Sequence, residues 1–223
     1  MLELKNLTVL LHDDPLFPKV DLTVPTGQLI SIMGPSGCGK STLLAAIAGN
    51  LSAVFHLQGD ILLDGQSIIR WPASQRRIGL LYQDDLLFPH MNVEQNLAFA
   101  IPAEIKGRQR NLRINDVLAH AGLPDAHKRD VATLSGGQRA RISLLRTLLA
   151  EPRAVLLDEP FSKLDKALRE QFRDWVFGEL QRSGTTAVLV SHDINDCGNG
   201  AVYDLQKGHD LRKDGDLEKG DMR

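Results

Sequence analysis

Gly34-Pro35-Ser36-Gly37-Cys38-Gly39-Lys40-Ser41 fits the pattern GxxxxGK[ST], and its setting decides the fold. The run before it, Leu29 to Met33, is apolar and of strand length. The run after it, Lys40 to Gly49, has helical composition and stops at a glycine. Strand, glycine loop and helix in that order make a phosphate cradle. Glycines let backbone N–H groups close around phosphate oxygens, and the helix start adds unpaired N–H groups and the positive end of its dipole. Lys40 is then expected to reach the outer phosphates and Ser41 to ligate Mg²⁺, with Thr42 completing the nucleotide-binding set. Cys38 lies in this loop, but the loop binds through its backbone, so no nucleophilic role is assigned to the thiol.

Working outward, Leu2 to Leu11 and Val20 to Val24 read as strands around a Pro- and Asp-rich turn, His12 to Pro18, and open the chain with an antiparallel β unit. Ile61 to Leu63 and Ile78 to Tyr82 read as further strands. Val93 to Ala100, Asn111 to Ala121 and Gln138 to Ala150 carry apolar residues at helical spacing, separated by Pro102, Gly107, Gly122-Leu-Pro124 and Ser135-Gly-Gly137. Ala154 to Asp158 and Thr185 to Ser191 are unbroken apolar strands of the kind buried on both faces of a parallel sheet, with a helix over Lys166 to Gln181 between them. The expected fold is α/β: a mainly parallel core sheet, an N-terminal antiparallel β layer and an inserted helical subdomain. The expected partition is a core from 1–86 and 147–215, helices over 87–146 and a tail over 216–223.

With a formal net charge of -2 the chain has no overall basic field, so nucleic acid is not an expected partner. Cys38 and Cys197 show neither zinc-ligand spacing nor a disulfide framework, and reduced thiols are expected. The N-terminus lacks the pattern of a signal peptide, and no apolar run reaches the roughly 20 residues of a membrane-spanning helix. Any work at a membrane is therefore expected to go through partners. The segment from Lys207 to Arg223 mixes both signs of charge and is expected to be solvated, its last residues frayed or at the surface.

Two more stretches carry chemistry. Val155-Leu-Leu-Asp158-Glu159 is an apolar strand ending in two acids, which can divide the work: Asp158 toward Mg²⁺, Glu159 toward an attacking water. Leu134-Ser135-Gly136-Gly137-Gln138 precedes the helical run from Arg139 to Ala150. Its glycines, hydroxyl and helix start make a second phosphate-binding device, although Ser-Gly-Gly can also simply cap a helix.

On these residues the chain resembles the ATP-binding subunits of ABC transporters, from Leu2 to about Gly215. Asp158 and Glu159 resemble the Walker B end, and Ser135, Gly136, Gly137 and Gln138 the ABC signature. Gln83 resembles the Q-loop, Ser162-Lys-Leu-Asp165 the D-loop and His192 the switch histidine. The resemblance implies Glu159, His192 and Gln83 as catalytic residues. It implies Ser41, Gln83 and Asp158 around Mg²⁺, with the loop residues Gly34 to Thr42, the signature and Asp165 on ATP. It also implies a head-to-tail dimer, in which one copy's signature covers ATP held by the other. The other implied partners are transmembrane permease subunits and an extracytoplasmic substrate-binding protein, and the chain would sit in the cytoplasm on the inner face of the membrane.

Leu86 to Asn96 resembles the importer stretch that receives a membrane subunit's coupling helix, so import is favoured over export. ABC ATPases of DNA repair or translation remain alternatives; the segment from Gln83 to Ser135 is too short for a long heptad-rich insert, and one cassette is present rather than two. A C-terminal regulatory domain is not expected. Two departures stand out. The family's aromatic ring for adenine, near the end of the first strand, is replaced by Leu11 and His12, with Phe17 farther on. The stretch from Asp193 to Ala201 is short and glycine-rich where the family usually has a helix.

Overall fold

The computed structural model describes residues 1–210. The N-terminal layer is an antiparallel sheet. Strand β1 (Leu2–Leu11) turns back through β2 (Asp14–Pro15), and β3 (Val20–Val24) pairs with its first half. After β4 (Leu29–Met33) and α1 (Lys40–Ala48), the chain returns to this layer as β5 (Phe55–Leu63), paired along β1 from Leu2↔Leu63 to Leu11↔Phe55. The short β6 (Gln66–Ser67) closes the edge, and α2 (Ala73–Arg76) leads to β7 (Ile78–Leu81).

The helical segment holds α3 (Val93–Ala100), α4 (Gly107–His120) and α5 (Gly136–Leu149). Then come β8 (Ala154–Asp158), α6 (Lys166–Ser183), β9 (Thr186–Ser191), β10 (Ala201–Asp204) and β11 (His209–Asp210). The core sheet has the order β11-β10-β4-β9-β8-β7 and is parallel except for the β10–β11 pair.

Alternation of side chains along a strand sorts the core sheet's residues onto two faces. Ile30, Ile32, Leu156, Val188 and Val190 join α1 and the antiparallel layer in one core. Val155, Leu157, Ala187 and Leu189 face the other way, against Phe161 and the α6 residues Phe172 and Val176. A third core belongs to the helical segment, with Val93, Leu97, Ile114, Leu118 and Leu145 fully or almost fully buried. Helix α5 serves two of these cores: Ile142 and Leu145 pack into the helical one, Leu144 against the sheet. It runs unbroken through Arg146, so a partition placed there divides one helix.

Several expected boundaries move. β5 starts at Phe55 rather than near Ile61, and α4 starts at Gly107, read above as a breaker. The stretch after Ser191 folds as a 3₁₀ turn, Ile194–Cys197, and Gly198 then takes a positive φ of 56°. A Cβ there would fall 2.4 Å from the Phe177 ring, so the turn closes only with glycine. Tyr203 to Gly208 form the expected last strand and turn. The segment read as a solvated tail begins within this structure, since His209–Asp210 pair with β10; its remainder, 211–223, lies outside the described residues. Among the described residues no helix is long and apolar enough to cross a membrane.

Candidate active site

Parallel strands end on the same side, and in the order β4-β9-β8-β7 their carboxyl ends form one row. The glycine loop follows β4, His192 follows β9, Asp158 and Glu159 close β8, and Gln83 lies just past β7. Residues far apart in sequence are thus brought to one edge by register alone, with Met33 opposite Ser191 and Asp158 opposite Val190.

The loop's shape depends on Gly37 (φ 82°) and Gly39 (φ 94°). Gly39 is the N-cap of α1 and makes no side-chain cap, so the helix start presents backbone N–H groups to the cleft. A Cβ on Gly39 would also come within 2.8 Å of Phe17, which packs directly behind the loop. Cys38 turns its sulfur toward Gly34, where a Cβ would meet it at 2.6 Å, and packs against the main core. That position makes it a filler of the loop's inner side rather than a nucleophile. Lys40 is only 6% exposed and donates to the Gly34 and Pro35 carbonyls at 2.8 and 3.0 Å, wrapping the loop around its own ammonium.

Opposite the loop, the Ser41 hydroxyl donates to Asp158 Oδ1 at 3.0 Å. Burial pushes the Asp158 carboxyl above the usual carboxylate range; the Ser41 hydrogen bond opposes this, the neighbouring Glu159 charge adds to it and Lys40 opposes it. Glu159 adopts φ 45°, a strained conformation for a non-glycine residue, and four contacts hold it there. Its N–H donates to Val190 at 3.1 Å, its carbonyl accepts from the Ser162 N–H and hydroxyl, and its carboxylate lies 3.2 Å from His192 Nδ1. Lys40 Nζ is 3.8 Å from the other carboxylate oxygen. Gln83 Nε2 donates to Ser162 at 3.0 Å, which ties the Q-loop to the turn carrying Glu159 and leaves the amide oxygen as acceptor.

These groups surround one cleft of about 460 Å³ lined by Ser36, Gly37, Gly39, Lys40, Ser41 and Thr42 on the loop side and by Gln83, Asp158 and Glu159 opposite. Gly34, Pro35 and Cys38 shape the loop from behind. His192 does not line the cleft but reaches it through Glu159. Among the described residues no group of three or more His, Cys, Asp or Glu could hold a metal. The oxygen donors Ser41, Asp158 and Gln83 instead suit Mg²⁺, which takes one or two carboxylates and completes its shell with water and phosphate oxygens.

The signature residues lie elsewhere. Ser135 caps α5 in a reciprocal box with Gln138: Ser135 Oγ accepts from the Gln138 N–H at 3.3 Å, and Gln138 Oε1 from the Ser135 N–H at 3.1 Å. A Cβ on Gly137 would meet Leu168 of α6 at 3.1 Å, so glycine permits the close approach of α5 and α6. Asp165 caps α6 through the Leu168 N–H. None of Ser135, Gly136, Gly137, Gln138 or Asp165 lines the cleft.

Two features escaped the sequence reading. Q-loop residues bind both signature helix and D-loop: Asp85 pairs with Arg139 at 3.1 Å and accepts from Ser143 through its carbonyl, while Asp84 pairs with Lys163. The segment after His192 is anchored by Asp196, which accepts from Arg169 Nε and Nη2 and from the Ser191 hydroxyl at 2.6 to 2.8 Å, while Arg169 Nη1 pairs with Asp193 at 3.1 Å. Adjacent acids at Asp84 and Asp85 and a single acid at Asp196 gave no pattern by which a single sequence could reveal either network.

The sequence profile described as "ABC transporter" matches residues 17–162, a span that starts before the glycine loop and ends beyond Glu159. The chain belongs to the ABC transporter family. This cassette is 50% identical over 196 residues to the uncharacterized ABC transporter ATP-binding protein YnjD of Escherichia coli, covering 88% of this chain and 90% of that one. It is 40% identical to the putrescine transport ATP-binding protein PotG of E. coli over 86% of this chain. It is 41% identical to the sulfate/thiosulfate import ATP-binding protein CysA of Neisseria meningitidis over 78% of this chain. The cassette spans about half the length of the latter two, 51% and 49%. A bacterial ABC transporter cassette solved as a dimer superposes with a TM-score of 0.76 at 28% identity, over 93% of this chain and 95% of that one. The fold is that of a P-loop ABC ATPase cassette.

Proposed function

We propose that this cassette binds and hydrolyses Mg-ATP and, by closing head to tail on a second copy, drives substrate import through membrane permease subunits. The observation that carries the reading is the separation of two phosphate-binding devices on one chain: no signature residue lines the P-loop cleft, and Ser135 to Gln138 instead cap the start of α5. A two-fold dimer in which each device completes the other satisfies both at once. Import is supported by the relatives whose names carry transport or import, and import further implies an extracytoplasmic binding protein.

The chemistry follows from the residues. The loop N–H groups and Lys40 hold the phosphates, for which Lys40 exchanges its two carbonyl partners. Ser41, Asp158 and Gln83 would hold Mg²⁺, which supplies charge stabilisation to the phosphates when bound. Glu159 is placed to accept a proton from the attacking water, and His192 fixes its carboxylate. Loss of the outer phosphate removes the contacts that favour the closed pair, and the dimer opens. That change passes to the helical segment through Gln83–Ser162 and Asp85–Arg139.

Phe88 stands where that segment would meet a membrane subunit. It packs edge-on to Phe99 at 4.9 Å, under the Arg146 guanidinium at 5.1 Å, beside the exposed Leu86 and Phe99. Phe88→Asp is expected to retain ATP hydrolysis by the isolated cassette and to abolish ATP-driven uptake by the assembled transporter. Unchanged uptake would count against the coupling role.

A further inference from the structure

The cleft continues past its phosphate end to three side chains with no polar atom: Leu11, Leu16 and Phe55. They meet through pairing and turn geometry. β1 and β5 place Leu11 directly opposite Phe55. The chain then reverses through His12 and Asp13, at φ 50° and 70°, so that the Leu16 N–H donates to Val9 at 2.9 Å. Phe55 opens β5 and is held by its own N–H on Ser52 at 3.0 Å, with its side chain half-buried. The aromatic rings nearest in sequence to the family's usual position serve elsewhere. His12 is exposed and does not line the cleft, and Phe17 is 3% exposed behind Gly39.

Resting on the nucleotide reading above, we propose that Phe55, supported by Leu11 and Leu16, is the platform on which the nucleotide base stacks, and that this platform does not distinguish adenine from guanine. The base contact thereby moves from the end of the first strand to its antiparallel neighbour. Stacking on an aromatic face tolerates any base, because every base has such a face. Strong discrimination between bases requires groups that hydrogen-bond the base edge, and the side chains of Leu11, Leu16 and Phe55 offer none.

The test compares binding of Mg-ATP, Mg-GTP and inorganic tripolyphosphate with Mg²⁺ by the full chain, by Phe55→Ala and by Phe55→Trp, with circular dichroism as a fold control. The wild type is expected to bind ATP and GTP within about 10-fold of each other. Phe55→Ala is expected to lose about 10- to 100-fold in affinity for both nucleotides while tripolyphosphate binding stays unchanged. Phe55→Trp is expected to restore the loss. Unchanged ATP affinity in Phe55→Ala, an equal loss of tripolyphosphate, or rejection of GTP by the wild type would each overturn the platform. A wild-type chain that binds neither ATP nor tripolyphosphate would instead overturn the nucleotide reading and take this inference with it.

Discussion

Glu159→Gln is expected to bind ATP as the wild type does, to accumulate as a dimer in its presence and to hydrolyse about 10²- to 10⁴-fold more slowly, the range that a positioned general base supplies. The substitution is nearly isosteric. A glutamine can keep the contact to His192, now at 3.2 Å, and the backbone bonds to Val190 and Ser162 that hold φ at 45° do not involve the side chain. The substitution removes the carboxylate's charge, and with it both the capacity to accept a proton and the ion pair with Lys40 at 3.8 Å. Hydrolysis measured by phosphate release, with size-exclusion chromatography in ATP, checks both halves of the expectation. Turnover near the wild-type rate would remove Glu159 from the catalytic role.

Lys40→Ala is expected to fail earlier, at binding. Hydrogen bonds to a charged group contribute about 1.5–3 kcal/mol each, so losing one to a phosphate lowers ATP affinity by about 10- to 100-fold. The same substitution removes the ammonium that gathers the Gly34 and Pro35 carbonyls, so the loop loses its internal tie as well. Titration with a fluorescent nucleotide reads the loss directly. A Lys40→Ala chain that binds ATP with full affinity but hydrolyses poorly would place Lys40 in the chemical step alone.

Much of this site was legible before the structure, for a physical reason. β4, β8 and β9 are buried on both faces and read as short unbroken apolar runs, and the functional residues sit where those runs stop. The end of α1 was equally plain because Gly49 adopts the left-handed cap conformation at φ 83°. The start of β5 was not. Phe55 to Asp60 mixes polar residues with Gly59, whose φ is 93° and whose Cβ would lie 2.3 Å from the Asn6 carbonyl. That glycine sits where the β1–β5 register shifts, between Lys5 and Thr8. Losing that strand hid Phe55 from the site, since only its pairing with Leu11 brings it to the cleft. Ser135 to Gln138 were recognisable as a motif, yet their separation from the lining of the P-loop cleft has no trace in residue spacing.

The proposal that two chains share each ATP rests on that separation, and mixing two defective chains tests it most directly. Lys40→Ala disables the P-loop half and Ser135→Arg the signature half, so neither alone should hydrolyse ATP. In an equal mixture about half of head-to-tail dimers are mixed, and each mixed dimer carries one site built from an intact P-loop and an intact signature, or about a quarter of the wild-type sites. Recovered hydrolysis on mixing is the predicted result. A mixture no more active than its two components would contradict sites completed in trans.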